Sequence, residues 1–137
     1  MAIISESKIG ETPFQKLIGH NKHLMEAWAG LGSVLEKEGL LTAKLKEQVR
    51  RTLAQKNGCE YCKAKGKPKA ETFDEKTSIA VGFSEVFLSY PNGNIPDYAF
   101  NILKEQFSEP EISELCAFIC FTIAQQYFGA MMKLLPE

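Results

Sequence analysis

The chain has 137 residues, 45% of them hydrophobic and 24% charged, with a formal net charge of −1. That length makes one ordinary domain, residues 1–137, and the composition is that of a globular chain with a sizeable core, not of a disordered or fibrous one. A charge so close to zero gives no global argument for nucleic acid or an acidic lipid surface as a partner.

Residues 1–11 read as a loose leader, too polar and too short for a signal peptide. With no export signal, the expected setting is the reducing cytoplasm. Thr12-Pro13-Phe14-Gln15 is a helix start, with Thr at the N-cap, Pro in the first turn and Gln at the third position. Phe14, Leu17 and Ile18 continue that helix, and Gly19 reads as a break. Leu24, Trp28, Leu31 and Leu35 recur at helical spacing. They predict a helix running to about Glu38, with these residues on its buried face, Trp28 in the core and Gly39 just past its end. His20 and His23 read as surface or packing residues, since no carboxylate pattern beside them suggests a metal.

Thr42 caps the next helix, predicted over 42–57, and Leu45, Val49 and Leu53 form its inner stripe. Glu47 leans away from the centre of that stripe. From the residues alone it is a solvent carboxylate paired with Arg50 or Arg51. Asn57-Gly58 then leads into Cys59-Glu60-Tyr61-Cys62. Two cysteines separated by two residues can close a small disulfide ring at a helix start, where free backbone N–H groups favour a thiolate. Three readings stay open at this point: a redox pair, half of a zinc site completed by Cys116 and Cys120, or inert buried thiols. In a reducing compartment a C-x-x-C is more often catalytic or metal-binding than structural. A helix is predicted from Cys59 to about Lys69. Lys56, Lys63, Lys65, Lys67 and Lys69 make this segment basic, which favours thiolate forms nearby. The cluster has no aromatic ladder and is too small to argue for nucleic acid.

Thr72-Phe73-Asp74-Glu75 reads as a capping box that opens a helix over 76–89. Pro91-Asn92-Gly93-Asn94 is a turn, and Pro96 suits the first turn of the following helix. Ser108-Glu109-Pro110-Glu111 is another capping box, opening a last helix over 110–134. Its stretch Leu115–Met132 holds 18 residues without a charge. That is close to the lower limit of a membrane span, but Thr122, Gln125, Gln126 and Gly129 reduce its hydropathy and no second span exists. Burial on two sides, by its own bundle and by a partner subunit, is the better account. The fold class is therefore all-α: a compact bundle of five to seven helices around those at 42–57, 76–89 and 110–134.

The stretch from Leu45 to Cys62 resembles the AhpD-like alkylhydroperoxidases of the carboxymuconolactone decarboxylase superfamily. In that family a helical glutamate stands twelve positions before the first cysteine of a C-x-x-C, as Glu47 stands before Cys59. Asn57-Gly58 and Tyr61 also fit the family pattern, and the likeness extends over residues 13–135. The resemblance implies an AhpD-like bundle, a homo-oligomer, and a thiol-dependent peroxidase of antioxidant type with no metal or organic cofactor. Cys62 would attack the peroxide, Cys59 would resolve the sulfenic acid into a disulfide, and Glu47 would act as base. The partners would be a small peroxide, a dithiol reductant and further copies of the chain through the C-terminal helix. One position departs from the pattern: the family's histidine four residues after the second cysteine is Gly66 here, which leaves the proton relay incomplete. A non-enzymatic scaffold or redox sensor is the first alternative. A decarboxylase-like lyase is the second, although those enzymes lack the cysteine pair.

Overall fold

The computed structural model describes residues 2–137. Seven α-helices follow in order: α1 Pro13–Ile18, α2 Lys22–Glu36, α3 Ala43–Ala54, α4 Glu60–Lys63, α5 Glu75–Leu88, α6 Asp97–Gln106 and α7 Glu109–Met131. A single 3-10 turn, Ala70–Thr72, lies between α4 and α5, and no strand occurs among the described residues. The all-α bundle read from the sequence is the fold.

Helix α3 is the central element and touches α2, α4, α5 and α7. Its stripe of Leu45, Val49 and Leu53 meets Ala80 and Phe83 of α5, Leu103 of α6, and Leu115 and Phe118 of α7 in one continuous core. Most helix starts follow from local side-chain chemistry. Thr12, Thr42 and Ser108 each accept the N–H three residues on, and Ser108 with Glu111 completes a capping box. The α5 cap is Asp74, not Thr72 as expected: Thr72 ends the 3-10 turn, and its hydroxyl donates to the Lys69 carbonyl. The helix expected from Cys59 to Lys69 stops at Lys63, because Gly66 takes φ +125° and Pro68 follows.

Three expectations about the α2 region change. Leu24 and Leu31 are exposed, and Trp28 is half-buried at a cavity edge instead of in the core. Only part of α2 lies against α7, so the helix keeps an open apolar side. Gly39 does not form a left-handed helix end. Its need for glycine comes from α7: a Cβ there would sit 2.8 Å from the Glu114 carboxylate oxygens. Residues 2–11 have no helix but are tied down, Ile3 N–H to the Met132 carbonyl at 2.9 Å and Ser7 N–H to that of Lys16 at 2.8 Å. A polar composition says little about such backbone pairing.

Glu114 pins the α2–α3 connection. It accepts from the N–H groups of Leu40 and Leu41, and pairs with Lys46 at 3.2 Å. Lys46 is 1% exposed and also donates to the Lys37 carbonyl at 2.8 Å. Burial works against the Glu114 carboxylate, but these N–H donors and the Lys46 charge outweigh it and hold its pKa below the usual range. A carboxyl with a depressed folded pKa contributes stability that is full above its unfolded pKa, about 4.3, and is lost as pH falls through the folded value. Glu114→Gln leaves the Lys46 charge buried and unpaired, and is expected to cost roughly 3 kcal/mol at neutral pH. Urea unfolding at pH 7 and pH 3 should show that gap narrowing in acid; a constant gap would refute the pairing.

Candidate active site

Between α3 and α4 the chain reverses through Asn57-Gly58, with Gly58 at φ +74°. The turn is anchored in the interior. Asn57 donates its amide to Gln126 Oε1 at 2.6 Å, and Gln126 in turn donates to the Arg50 carbonyl at 3.3 Å. Cys59 caps the one-turn helix α4, its Sγ accepting the Cys62 N–H at 3.1 Å. Four residues give no extended dipole, so the helix-start contribution to a thiolate is limited to these local N–H groups.

Cys59 and Cys62 form a disulfide with a Cα–Cα distance of 5.2 Å, inside the normal range. Cys59 is 1% exposed and Cys62 8%. The difference comes from α7. A Cβ at Gly129 would lie 2.5 Å from Cys59 Sγ and 3.5 Å from Cys62 Sγ, so the sulfur of Cys59 rests directly on the glycine backbone. Leu17, Ala54, Tyr61 and Leu134 complete a small second core around the pair. In the sequence Gly129 is marked only as a lone glycine inside a long helical pattern.

Cys62 lines a cavity of about 240 Å³. Phe14, Met25 and Trp28 make its apolar wall. Arg50, Lys65 and Gln126 make the polar wall, together with Glu36 at the end of α2. Trp28 donates its indole N–H to Gln125 at 3.2 Å. The Lys65 ammonium lies 4.8 Å above the Tyr61 ring.

Glu47 does not line this cavity. Arg50 grips its carboxylate through two nitrogens at 2.7 and 2.9 Å, and Arg51 adds a third bond at 2.9 Å. Arg50 also donates to the Cys62 carbonyl at 3.3 Å, so its guanidinium links Glu47 to the disulfide loop. Burial works to raise the Glu47 pKa, but the two guanidinium groups win and hold it below the usual range. The pairing with Arg50 and Arg51 read from helical spacing is present, and it leaves the carboxylate a weak base.

Position 66 favours glycine through its backbone conformation, not through lack of space. Gly66 has φ +125°, and a Cβ there would meet the Arg51 guanidinium at 3.4 Å. The following loop is pinned to α3, Arg51 donating to the Lys67 carbonyl and the Lys69 N–H to Gln48. Cys116 and Cys120 lie elsewhere on α7. Cys116 is half-buried beside the main core and Cys120 is exposed, and neither joins Cys59 and Cys62 in a four-cysteine site. No cluster of three or more His, Cys, Asp or Glu able to hold a metal ion occurs among the described residues.

No protein-family model and no curated protein matches the sequence. Among solved structures, the chain resembles a protein of unknown function from Agrobacterium tumefaciens, provisionally named an antioxidant defence protein, AhpD. The TM-score is 0.74 at 15% identity, over 88% of this chain and 95% of the other. The fold is thus AhpD-like.

Gly129→Ala tests the contact between α7 and Cys59. Its methyl group has no room beside the disulfide, so the oxidised protein should lose about 1–3 kcal/mol in thermal or denaturant unfolding. The thiol–disulfide equilibrium against dithiothreitol should shift toward the dithiol. An unchanged equilibrium and stability would show that α7 does not press on Cys59.

Proposed function

We propose that the protein is a thiol-dependent peroxidase, a disulfide oxidoreductase of the reducing cytoplasm that needs no metal or organic cofactor. The observation that carries this reading is the asymmetry of the Cys59–Cys62 pair, with Cys62 on a cavity and Cys59 sealed beneath α7. The Cys62 thiolate attacks the terminal peroxide oxygen, the O–O bond breaks, and sulfur becomes sulfenic acid while an alcohol or water departs. Cys59 then attacks that sulfur and expels water, forming the disulfide. A dithiol reductant returns two electrons and two protons by exchange at Cys62, the accessible sulfur. Arg50, donating to the Cys62 carbonyl, favours the thiolate. Glu47 serves by fixing Arg50 and not as a free base.

Free thiols titrated before and after one equivalent of peroxide test the cycle. Reduced protein should lose two thiols per chain, both mapping to Cys59 and Cys62, and added dithiol should restore turnover. Cys62→Ser should abolish the reaction, while Cys59→Ser should stop after one sulfenic acid. Stoichiometric oxidation without turnover would favour a redox sensor over an enzyme.

A second copy of the chain is the partner we assign to the open face of α2 and α7. The two helices pack together, and each presents apolar residues outward at spacings of three and four. These are Leu24, Ala27, Leu31 and Val34 on α2, and Ala117, Cys120, Ala124, Tyr127 and Met131 on α7. Val34 is 61% and Met131 69% exposed, and no charge interrupts the α7 row. Such self-complementary rows suit a symmetric helical interface. Light scattering at micromolar concentration should give at least twice 15.3 kDa, and Ala124→Glu should return the monomer. A monomeric wild type would end this assignment. No described helix is long and apolar enough to cross a membrane.

A further inference from the structure

The proposed peroxidase cycle leaves one task without a residue. When the O–O bond breaks, the departing oxygen leaves as alkoxide or hydroxide and must gain a proton. The position that the family's histidine takes is Gly66 here, which has no side chain to give a proton.

The charged and polar groups on the cavity narrow the choice. Arg50 holds Glu47 with two nitrogens and the Cys62 carbonyl with a third, and a guanidinium does not release its proton in proteins. The Tyr61 phenol, pushed up by burial and the Glu137 charge against a smaller opposing hydrogen bond from Thr12, lies under the Lys65 ammonium. A Tyr61→Phe variant that lost the alkyl hydroperoxide rate in place of Lys65→Met would overturn a donor role for Lys65. Glu36 is a carboxylate, an acceptor. Gln126 is an amide already committed to Asn57 and the Arg50 carbonyl. Lys65 remains.

We propose that Lys65 is the proton donor to the leaving oxygen, a catalytic residue that the sequence pattern does not mark. This rests on the peroxidase reading of the same cavity. Lys65 lines the cavity with Cys62, its backbone N–H donates to the Cys62 carbonyl at 3.3 Å, and its ammonium lies 4.8 Å above the ring of Tyr61, the residue before Cys62. Lys65 is an exposed residue at the cavity, so solvent reaches it to restore a proton after each turnover. Burial and the Arg50 charge lower its pKa, and Glu36, Glu47 and Glu137 oppose them only in part. A lysine ammonium is a far stronger acid than water or an alcohol, so proton transfer to hydroxide or alkoxide is strongly downhill. In balanced form, Cys62 thiolate, hydroperoxide and Lys65 ammonium give Cys62 sulfenic acid, alcohol and neutral Lys65. Sulfur loses two electrons and the O–O bond takes them. The Cys59 thiol then displaces water from the sulfenic acid, its proton leaving with the oxygen.

The leaving group supplies the test. tert-Butyl hydroperoxide expels a strongly basic alkoxide, whereas peracetic acid expels acetate, which needs no proton at neutral pH. Reduced full-length wild type and Lys65→Met are mixed with each oxidant in single-turnover stopped flow, followed by the fluorescence of Trp28, the only tryptophan and a cavity residue. Lys65→Met should be about 100-fold slower or more with tert-butyl hydroperoxide, the range of general acid help, and within about threefold of wild type with peracetic acid. Retained peracetic acid reactivity also shows that the variant is folded and its thiolate formed. Wild type should lose rate with the alkyl hydroperoxide at high pH as the ammonium deprotonates, and the variant should lack that limb. Equal losses with both oxidants would reduce Lys65 to a thiolate-stabilising charge and overturn the assignment, as would no loss with either. A wild type inert to both oxidants would instead sink the peroxidase reading itself.

Discussion

The Cys59 sulfur resting on the backbone of Gly129 is the constraint from which the site's geometry follows. With no side chain on α7 at that point, the disulfide sits against the helix, and the helix shields one sulfur from solvent. The Asn57-Gly58 turn must then approach α7 closely as well, and the Asn57–Gln126–Arg50 hydrogen bonds hold it there. These bonds fall between α3, the turn and α7, so the pair is positioned by the core and not by its own short helix. Cys62, on the other side of the ring, is left facing Trp28, Arg50 and Lys65.

The charges are arranged for two separate jobs. Lys46 and Glu114 are partners in a buried or nearly buried pair whose other hydrogen bonds are filled by backbone groups of residues 37–41. Such a pair fixes where a connection runs more than it adds net stability, because desolvation offsets much of its attraction. Glu47, Arg50 and Arg51 form a more open cluster near the disulfide. Their shared bonds orient Arg50 toward the Cys62 carbonyl and leave Arg51 to fill the space at Gly66. A carboxylate that holds two guanidinium groups gives up basicity for that rigidity.

Much of this was legible in the sequence. The caps at Thr12, Thr42 and Ser108 and the stripe Leu45–Val49–Leu53 are local signals, and they place the helices. The C-x-x-C and the Asn-Gly turn placed the pair. What the sequence did not show is set by contacts distant along the chain. Gly39 and Gly129 are needed because α7 comes close, and no local turn pattern marks either. Trp28 carries every mark of a core residue, yet the rings of Phe14 on α1 and Phe121 and Phe128 on α7 meet only part of the indole and leave the rest on a cavity. Glu47 illustrates the limit in another way. Helical spacing correctly offered Arg50 and Arg51, whereas the motif alone favoured a free base beside the thiols.

The same glycine contact decides how the pair opens when reduced. A disulfide holds two sulfurs at about 2.05 Å, and two thiols need van der Waals separation instead. Cys59 cannot retreat toward α7, where its sulfur already meets the Gly129 backbone, and Leu17, Ala54 and Leu134 pack around it. The added separation therefore falls on Cys62, whose free side is the cavity. On that side lies Arg50, which already donates to the Cys62 carbonyl and whose charge favours a thiolate. One packing restriction thus separates the two cysteines: Cys59 is held against α7, and Cys62 is the one with free space beside it.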